Sequence, residues 1–257
     1  MRTIHFVYDM AITFSGVATN HAFTIKCIPH EDERQKITNL KIDLQPETAF
    51  EYGRDSFGND YLYGRYMDAH DIFRVTVEGD ACTGLANCVH GEEDWLALYC
   101  CQDSYTTPGP AITRAFSDFY KSEEGPLDAA VGMMHRVYEA FIYEPGATNV
   151  QTTGEEALQM GRGVCQDYSH VLISLCRMAK IPARYVVGML EGEGASHAWV
   201  EVYQDGGWYA LDPTNNLVVT DGHVTISHGR NYKDCIINRG VFLGGGTQTQ
   251  SVKVTLT

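Results

Sequence analysis

Apolar and polar residues alternate with a period of two through the first part of the chain. Ile4, Phe6 and Tyr8 share one parity. Ile37 and Asn39 share another, and Leu40, Ile42 and Leu44 follow on the opposite one. Phe73, Val75 and Val77 repeat the pattern. Alternation rich in β-branched and aromatic residues predicts half-buried strands. Polar clusters with turn chemistry lie between these runs, at Pro29-His30-Glu31-Asp32-Glu33 and Asp55-Ser56-Phe57-Gly58-Asn59-Asp60. Short strands punctuated in this way predict a small N-terminal β-sandwich.

The period then changes. Residues 81–125 lose the alternation, and Thr106-Thr107-Pro108-Gly109-Pro110 reads as a turn or linker. A domain boundary belongs in this stretch, which divides the chain into a β-rich part, 1–100, and a second domain, 101–257. Pro126 opens a helix in which Leu127, Ala130, Val131, Met134, Val137, Tyr138 and Phe141 recur at three- and four-residue steps. Thr153-Gly154-Glu155-Glu156 opens a shorter one through Met160, closed by Gly161. A third begins at Cys165, carries the stripe Tyr168, Val171, Leu172, Leu175, Cys176 and Ala179, and stops before Pro182. Strands are expected at 185–188, 198–203 and 208–211, with Asp205-Gly206-Gly207 as a hairpin turn. The stretch 226–250, with Gly244-Gly245-Gly246, reads as a flexible loop near a cleft. Strands first, then helices, then strands again describe an α+β protein, with a helix laid against an antiparallel sheet.

Composition narrows the function. The 257 residues carry 19 Lys and Arg against 33 Asp and Glu, a net charge of −14. Such a surface repels phosphate backbones and anionic lipid, so neither nucleic acid nor a membrane is an expected partner. No run has the length of a signal-peptide core or a membrane helix, and a cytoplasmic location is expected. Eight cysteines occur at irregular spacings without a CxxC pair, so a structural zinc site is not expected, and neither is any other metal or cofactor. Most of these thiols are expected to be reduced and buried.

Three residues carry candidate chemistry. Cys165 follows Gly161 and Gly163 and starts a helix. The free N–H groups and positive dipole end at a helix N-terminus favour a thiolate and can hold an oxyanion. His197 opens a strand and is the candidate base. Asp212 ends the next strand and is the candidate residue for fixing the imidazole tautomer, although Asp212-Pro213-Thr214 is also good turn chemistry on its own. The turn at 205–207 brings two positions 15 residues apart (212 − 197) side by side. His170 is the rival imidazole, but five residues along the helix turn it about 500° from the thiol. Gly163, Gln166 and Trp199 are the candidate substrate contacts. Gly163 lets a substrate carbonyl approach the backbone, whereas Trp199 and Trp208 are also large apolar bodies suited to a core. Arg184 belongs either in a buried ion pair behind the sheet or against substrate.

These segments resemble the transglutaminase-like superfamily, whose core is similar to that of papain-type cysteine proteases. The resemblance rests on Gly163-Val164-Cys165-Gln166-Asp167-Tyr168, Ile181-Pro182-Ala183-Arg184-Tyr185-Val186-Val187-Gly188, His197-Ala198-Trp199-Val200-Glu201-Val202, and Gly207-Trp208 through Asp212-Pro213-Thr214-Asn215-Asn216. Tyr143-Glu144-Pro145-Gly146-Ala147-Thr148 and Gly229-Arg230-Asn231-Tyr232 extend it. Asp55-Ser56-Phe57-Gly58-Asn59 resembles part of the β-rich domain that bacterial members carry. The resemblance implies Cys165 as nucleophile, His197 as base and Asp212 as orienting acid, working through a thioester on a peptide or protein substrate. It leaves the acceptor open. Hydrolysis of a peptide or amide bond is expected, with protein-glutamine cross-linking or deamidation as the alternative. A non-enzymatic interaction protein that keeps the fold, with the β-rich half as its binding module, is the reading from another class.

Overall fold

The longest element of the computed structural model, which describes residues 1–91, 95–121 and 125–257, is strand β1 (Arg2–Ile25). Its length follows from its pattern. Ile4, Phe6, Tyr8, Met10, Ile12 and Phe14 point inward, and their neighbours are wholly or partly exposed. Ala18 is still buried on that parity, but register against a later partner strand slips by one residue between Thr19 and Ala22, where Asn20 takes φ 52°, and beyond the slip the inward set becomes His21, Phe23 and Ile25. An extra residue reverses the face that a strand buries, so one strand serves two parities. Four more strands follow: β2 (Lys36–Gln45), β3 (Phe50–Arg54), β4 (Asp60–Tyr66) and β5 (His70–Thr83). β5 pairs with the first half of β1 and with β2; β4 pairs with the second half of β1 and with β3. The parity change between Ile37 and Leu40 falls on a register shift in β2, where Asn39 takes φ 54°.

After β6 (Val89–His90) come helices α1 (Leu96–Tyr99), α2 (Pro110–Phe119) and α3 (Pro126–Ala140). Then follow β7 (Ile142–Tyr143), α4 (Gly154–Met160), β8 (Arg162–Gly163) and α5 (Cys165–Met178). The second sheet is built from β9 (Ala183–Leu190), β11 (His197–Gln204), β12 (Gly207–Asp212), β13 (Leu217–Val218) and β14 (His223–Gly229), in the order β13-β12-β11-β9-β14; β10 (Gly192–Gly194) leaves it to join the first sheet. The three helices expected near 126, 153 and 165 are α3, α4 and α5. Thr153 caps α4 in a reciprocal box with Glu156, and Gly161 ends it at φ 64°. The hairpin turn has Asp205 at φ 48° and Gly206 at φ 85°, the left-handed pair that matches the strand twist. α5 lies across the second sheet. Val171, Leu172 and Leu175 meet Tyr185 and Val187 of β9 and Val200 and Val202 of β11 in one core. Each such side chain contributes about 2 kcal/mol of burial.

Two expectations are corrected. Thr106–Pro110 is not only a linker, because Pro110 is the first residue of α2. The helix lacks a side-chain cap of its own. Instead the Glu155 carboxylate, reaching from α4, accepts the N–H groups of Gly109 (3.0 Å), Ala111 (2.8 Å) and Ile112 (2.9 Å). The stretch 226–250 is not a loop. It holds the end of the fully buried β14, then β15 (Asn238–Gly244) and the start of β16 (Gln248–Leu256). β15 pairs with Ala18–Ile25 and β16 with Phe6–Phe14, so the chain's last strands complete the sheet begun by its first.

The two sheets are tied together where the Asp55–Asn59 segment meets β14. Asp55 accepts the N–H groups of Phe57 (2.9 Å) and Asn59 (3.0 Å), which fixes the turn. Buried Asn59 then donates to the His228 carbonyl and accepts the His228 N–H, each at 2.8 Å. Met189, Val224 and Ile226 of the second sheet share a core with Ile4, Phe6 and Val77 of the first. Among the described residues, no helix is long and apolar enough to cross a membrane.

Candidate active site

Cys165 is the first residue of α5 and is half-buried. Val164, at the N-cap, has no side-chain acceptor, and its own N–H donates to Asp167 Oδ2 at 2.7 Å. Asp167 also accepts the Thr148 hydroxyl at 2.6 Å. The first N–H groups of the helix, those of Cys165 and Gln166, have no intrahelical acceptor by geometry. The thiol therefore sits at the positive end of a helix whose start is pinned by a carboxylate.

His197, at the start of β11, donates from Nε2 to Asp212 Oδ2 at 2.8 Å. That leaves Nδ1 as the ring nitrogen not bound to Asp212, and Cys165 is near enough to this imidazole to favour its charged form. Burial opposes the charged ring, but Asp212 and then Cys165 outweigh it, and the His197 pKa rises to about 10. The structure thus joins His197 to Asp212 by a hydrogen bond and places Cys165 in the neighbourhood of the same ring.

Asp212 is completely buried and accepts five hydrogen bonds. Oδ1 takes the N–H groups of Thr214 (3.0 Å) and Asn215 (3.1 Å). Oδ2 takes His197, the Asn215 amide (2.8 Å) and His223 Nε2 (3.0 Å). Burial alone would raise its pKa, yet the donors, His197 and His223 foremost, hold it far below the usual carboxylate range. The Asp-Pro-Thr segment is therefore a turn and a site element at once. His223 is the residue that sequence reasoning missed. It lies at the start of β14, a strand not expected from the sequence, and nothing local to it marks an acceptor 11 residues earlier. His197, Asp212 and His223 are also a donor set that a metal ion could use, with ligand atoms within 4.8 Å of one another. Hydrogen bonding already accounts for their convergence.

The rival His170 is fully buried between Tyr105 and Tyr185, and its Nε2 accepts the Tyr232 N–H at 3.3 Å. Burial drives its pKa down to about 3, so it stays neutral within the core. The candidate substrate contacts fare unequally. Gln166 is buried in the first turn of α5. Gly163 is buried too, and the space beside its Cα is filled by Asp167, with which a Cβ would collide. Its missing side chain thus serves the helix start. Trp199 is 1% exposed; it packs against Gly188 and Val186 behind the His197 ring and forms no part of a cleft wall. Arg184 takes the first of its two alternatives. Its guanidinium lies 2.6 Å from Glu201 Oε2 and 4.3 Å above the Trp208 ring, and Arg34 from the β1–β2 connection holds the other oxygen. Of the eight cysteines, Cys27, Cys176 and Cys235 are buried, while Cys101 is exposed.

A cleft of about 560 Å³ opens beside His197. Phe141 and Tyr168 form its floor, while Tyr138 and Tyr143, 45% and 54% exposed, stand at its mouth.

The segment around this site belongs to the transglutaminase-like superfamily. Residues 114–213 match the superfamily core, and residues 4–81 match the bacterial transglutaminase-like N-terminal region. An uncharacterized protein of Mycobacterium leprae is 33% identical over 164 residues, covering 60% of this chain and 58% of that protein. A protein-glutamine gamma-glutamyltransferase of Pseudomonas aeruginosa is 30% identical over 123 residues, 41% of this chain and 18% of its own length. The chain thus spans less than two thirds of both relatives. A solved Cytophaga hutchinsonii structure, described as that of a candidate cysteine protease, covers 99% of this chain and 90% of its own with a TM-score of 0.82 and 21% identity. At that identity the likeness is one of fold, and it is the transglutaminase-like cysteine protease fold.

Proposed function

We propose that the protein is a cysteine hydrolase that cleaves a peptide or amide bond through a thioester on Cys165. The observation that carries this reading is the placement of His197 between the fully buried Asp212, at 2.8 Å, and a thiol at a helix N-terminus. In the first step the thiol proton rests on His197 Nδ1 and the sulfur attacks the substrate carbonyl carbon. The oxyanion faces the first N–H groups of α5. The C–N bond then breaks, and the amine leaves with the proton that His197 held. In the second step water attacks the thioester carbonyl and gives a proton to His197. The C–S bond breaks, the acid departs and the sulfur is left opposite the protonated His197, as it began. Asp212 keeps the imidazole in the tautomer that presents Nδ1 to sulfur.

Water is the acceptor in this reading because exposed Tyr138 and Tyr143 leave the cleft mouth open to solvent. The likeness to a glutamyltransferase favours an amine acceptor instead. Mass spectrometry of the trapped acyl-enzyme, followed by product analysis with and without a primary amine, tests both. A Cys165 adduct that resolves to free acid in the presence of excess amine supports hydrolysis, and amide product reverses the choice. An enzyme whose turnover survives Cys165→Ala removes both readings. We also place the protein in the cytoplasm, where its eight unbridged cysteines would stay reduced; its recovery from an exported fraction would refute this.

A further inference from the structure

The geometry assigns a substrate class to the cleft beside His197: an acyl donor with an aromatic or branched apolar side chain at the residue that bears the scissile carbonyl. This rests on the hydrolase reading and adds specificity to it. The cleft is lined by Tyr138, Phe141, Tyr143, Tyr168 and Leu190 and ends on His197. Its 560 Å³ or so is the size of a small-ligand pocket and holds a bulky side chain with room for neighbouring backbone. Phe141 and Tyr168 form a buried floor with ring centroids 4.6 Å apart. Tyr143 lies against the nucleophile segment, because β7 pairs with β8 and puts Tyr143 opposite Gly163, two residues before Cys165. The pocket therefore fills the angle between the thiol's approach strand and the base, where the side chain nearest the attacked carbonyl must go.

Charge decides against the other classes. Besides His197, Glu139 is the one lining side chain that is charged at neutral pH among the described residues, and Arg136 already holds it at 2.7 Å. A substrate cation would lose water over the rings and find that carboxylate taken. A substrate carboxylate would find no cation in the lining besides His197, which Asp212 already holds, and would meet a protein of net charge −14. Ring edges and faces, by contrast, suit another ring.

The test uses the full chain and three dipeptidyl vinyl sulfones, with Phe, Ala or Asp next to the warhead. The Cys165 sulfur adds to the vinyl carbon attached to the peptide, and the carbon next to the sulfone takes a proton from His197. The second-order rate of Cys165 labelling is read by mass spectrometry and divided by the rate with iodoacetamide, which needs the thiol alone. The Phe probe is expected to label at least tenfold faster than Ala and faster still than Asp. Tyr143→Ala should bring the Phe-to-Ala ratio toward one, and Tyr143→Phe should keep it. Because Tyr143 is largely exposed, both variants are expected to fold, and the ratio cancels any general loss of active protein. Equal rates for the three probes overturn the assignment while leaving the hydrolase reading intact. A Cys165 inert even to iodoacetamide overturns both.

Discussion

His223 Nε2 lies 3.0 Å from Asp212 Oδ2, the same oxygen that holds His197 at 2.8 Å. One buried carboxylate oxygen thus positions the candidate base while a second imidazole positions the carboxylate. Replacing His223 by Phe keeps a ring but removes a donor to a buried charge, a change of about 2 kcal/mol. We expect kcat/KM to fall at least tenfold, and the acid limb of its pH profile to move to higher pH as the Asp212 carboxyl becomes easier to protonate. An unchanged acid limb in His223→Phe would reduce the residue to packing.

The raised pKa of His197 carries a stability consequence. Folding favours its charged form, so its contribution is complete below the ordinary value of 6.5 and fades as pH rises toward about 10. Chemical denaturation between pH 6 and 10 should show the wild type losing more stability than His197→Gln. Parallel losses would contradict the ion-pair geometry.

Glu201 sits between Arg184 and Arg34, on the same strand as His197. Burial pushes its pKa up, yet the two guanidinium groups bring it down to about 2. Its contribution to stability is therefore present above about pH 4.5 and lost as pH falls toward 2. Removing the carboxylate leaves two buried cations, and Glu201→Ala is expected to cost about 3–5 kcal/mol. Thermal unfolding at pH 7 checks this; a variant as stable as wild type would show that water or movement relieves the arginines.

Glu155 caps a helix that begins 45 residues earlier in the chain (155 − 110). Glu155→Ala should destabilise the protein by about 1–2 kcal/mol, with faster amide hydrogen exchange at Ala111 and Ile112. Exchange at α2 that stays at the wild-type rate would mean that the helix start is held by other contacts.

At Gly163 a methyl group would collide with Asp167, the residue that fixes the start of α5. Gly163→Ala is expected to cost about 1–3 kcal/mol and to slow alkylation of Cys165. Full alkylation rate with wild-type stability would show that the helix start tolerates the shift.

Local chemistry was readable wherever the partner lies close in sequence. The Thr153–Glu156 capping box, the left-handed Gly161, the stripe of α5 and the turn at 205–207 are each complete within a few residues, and each appears where expected. The parity change between Ile37 and Leu40 likewise marks the irregularity in β2. α2 was hidden because its cap comes from α4. β15 was hidden because it is an outer strand with little burial to impose alternation, and Val241 and Leu243 face solvent. β14 was hidden for the opposite reason: it is buried on both faces, so its polar residues break the alternation.

By itself the sequence determined a thiol at the start of an amphipathic helix, an imidazole and a carboxylate on consecutive strands, and the β-then-α-then-β order that sets the fold class. These follow from periodicity and turn chemistry, which act over one or two helical turns or a hairpin. The tertiary structure alone decided that His223 shares the Asp212 oxygen, that Arg34 reaches Glu201, and that the chain's last strands close the sheet opened by its first. In each case the donor and acceptor are brought together by packing, and a buried polar group accepts whichever partner the fold delivers.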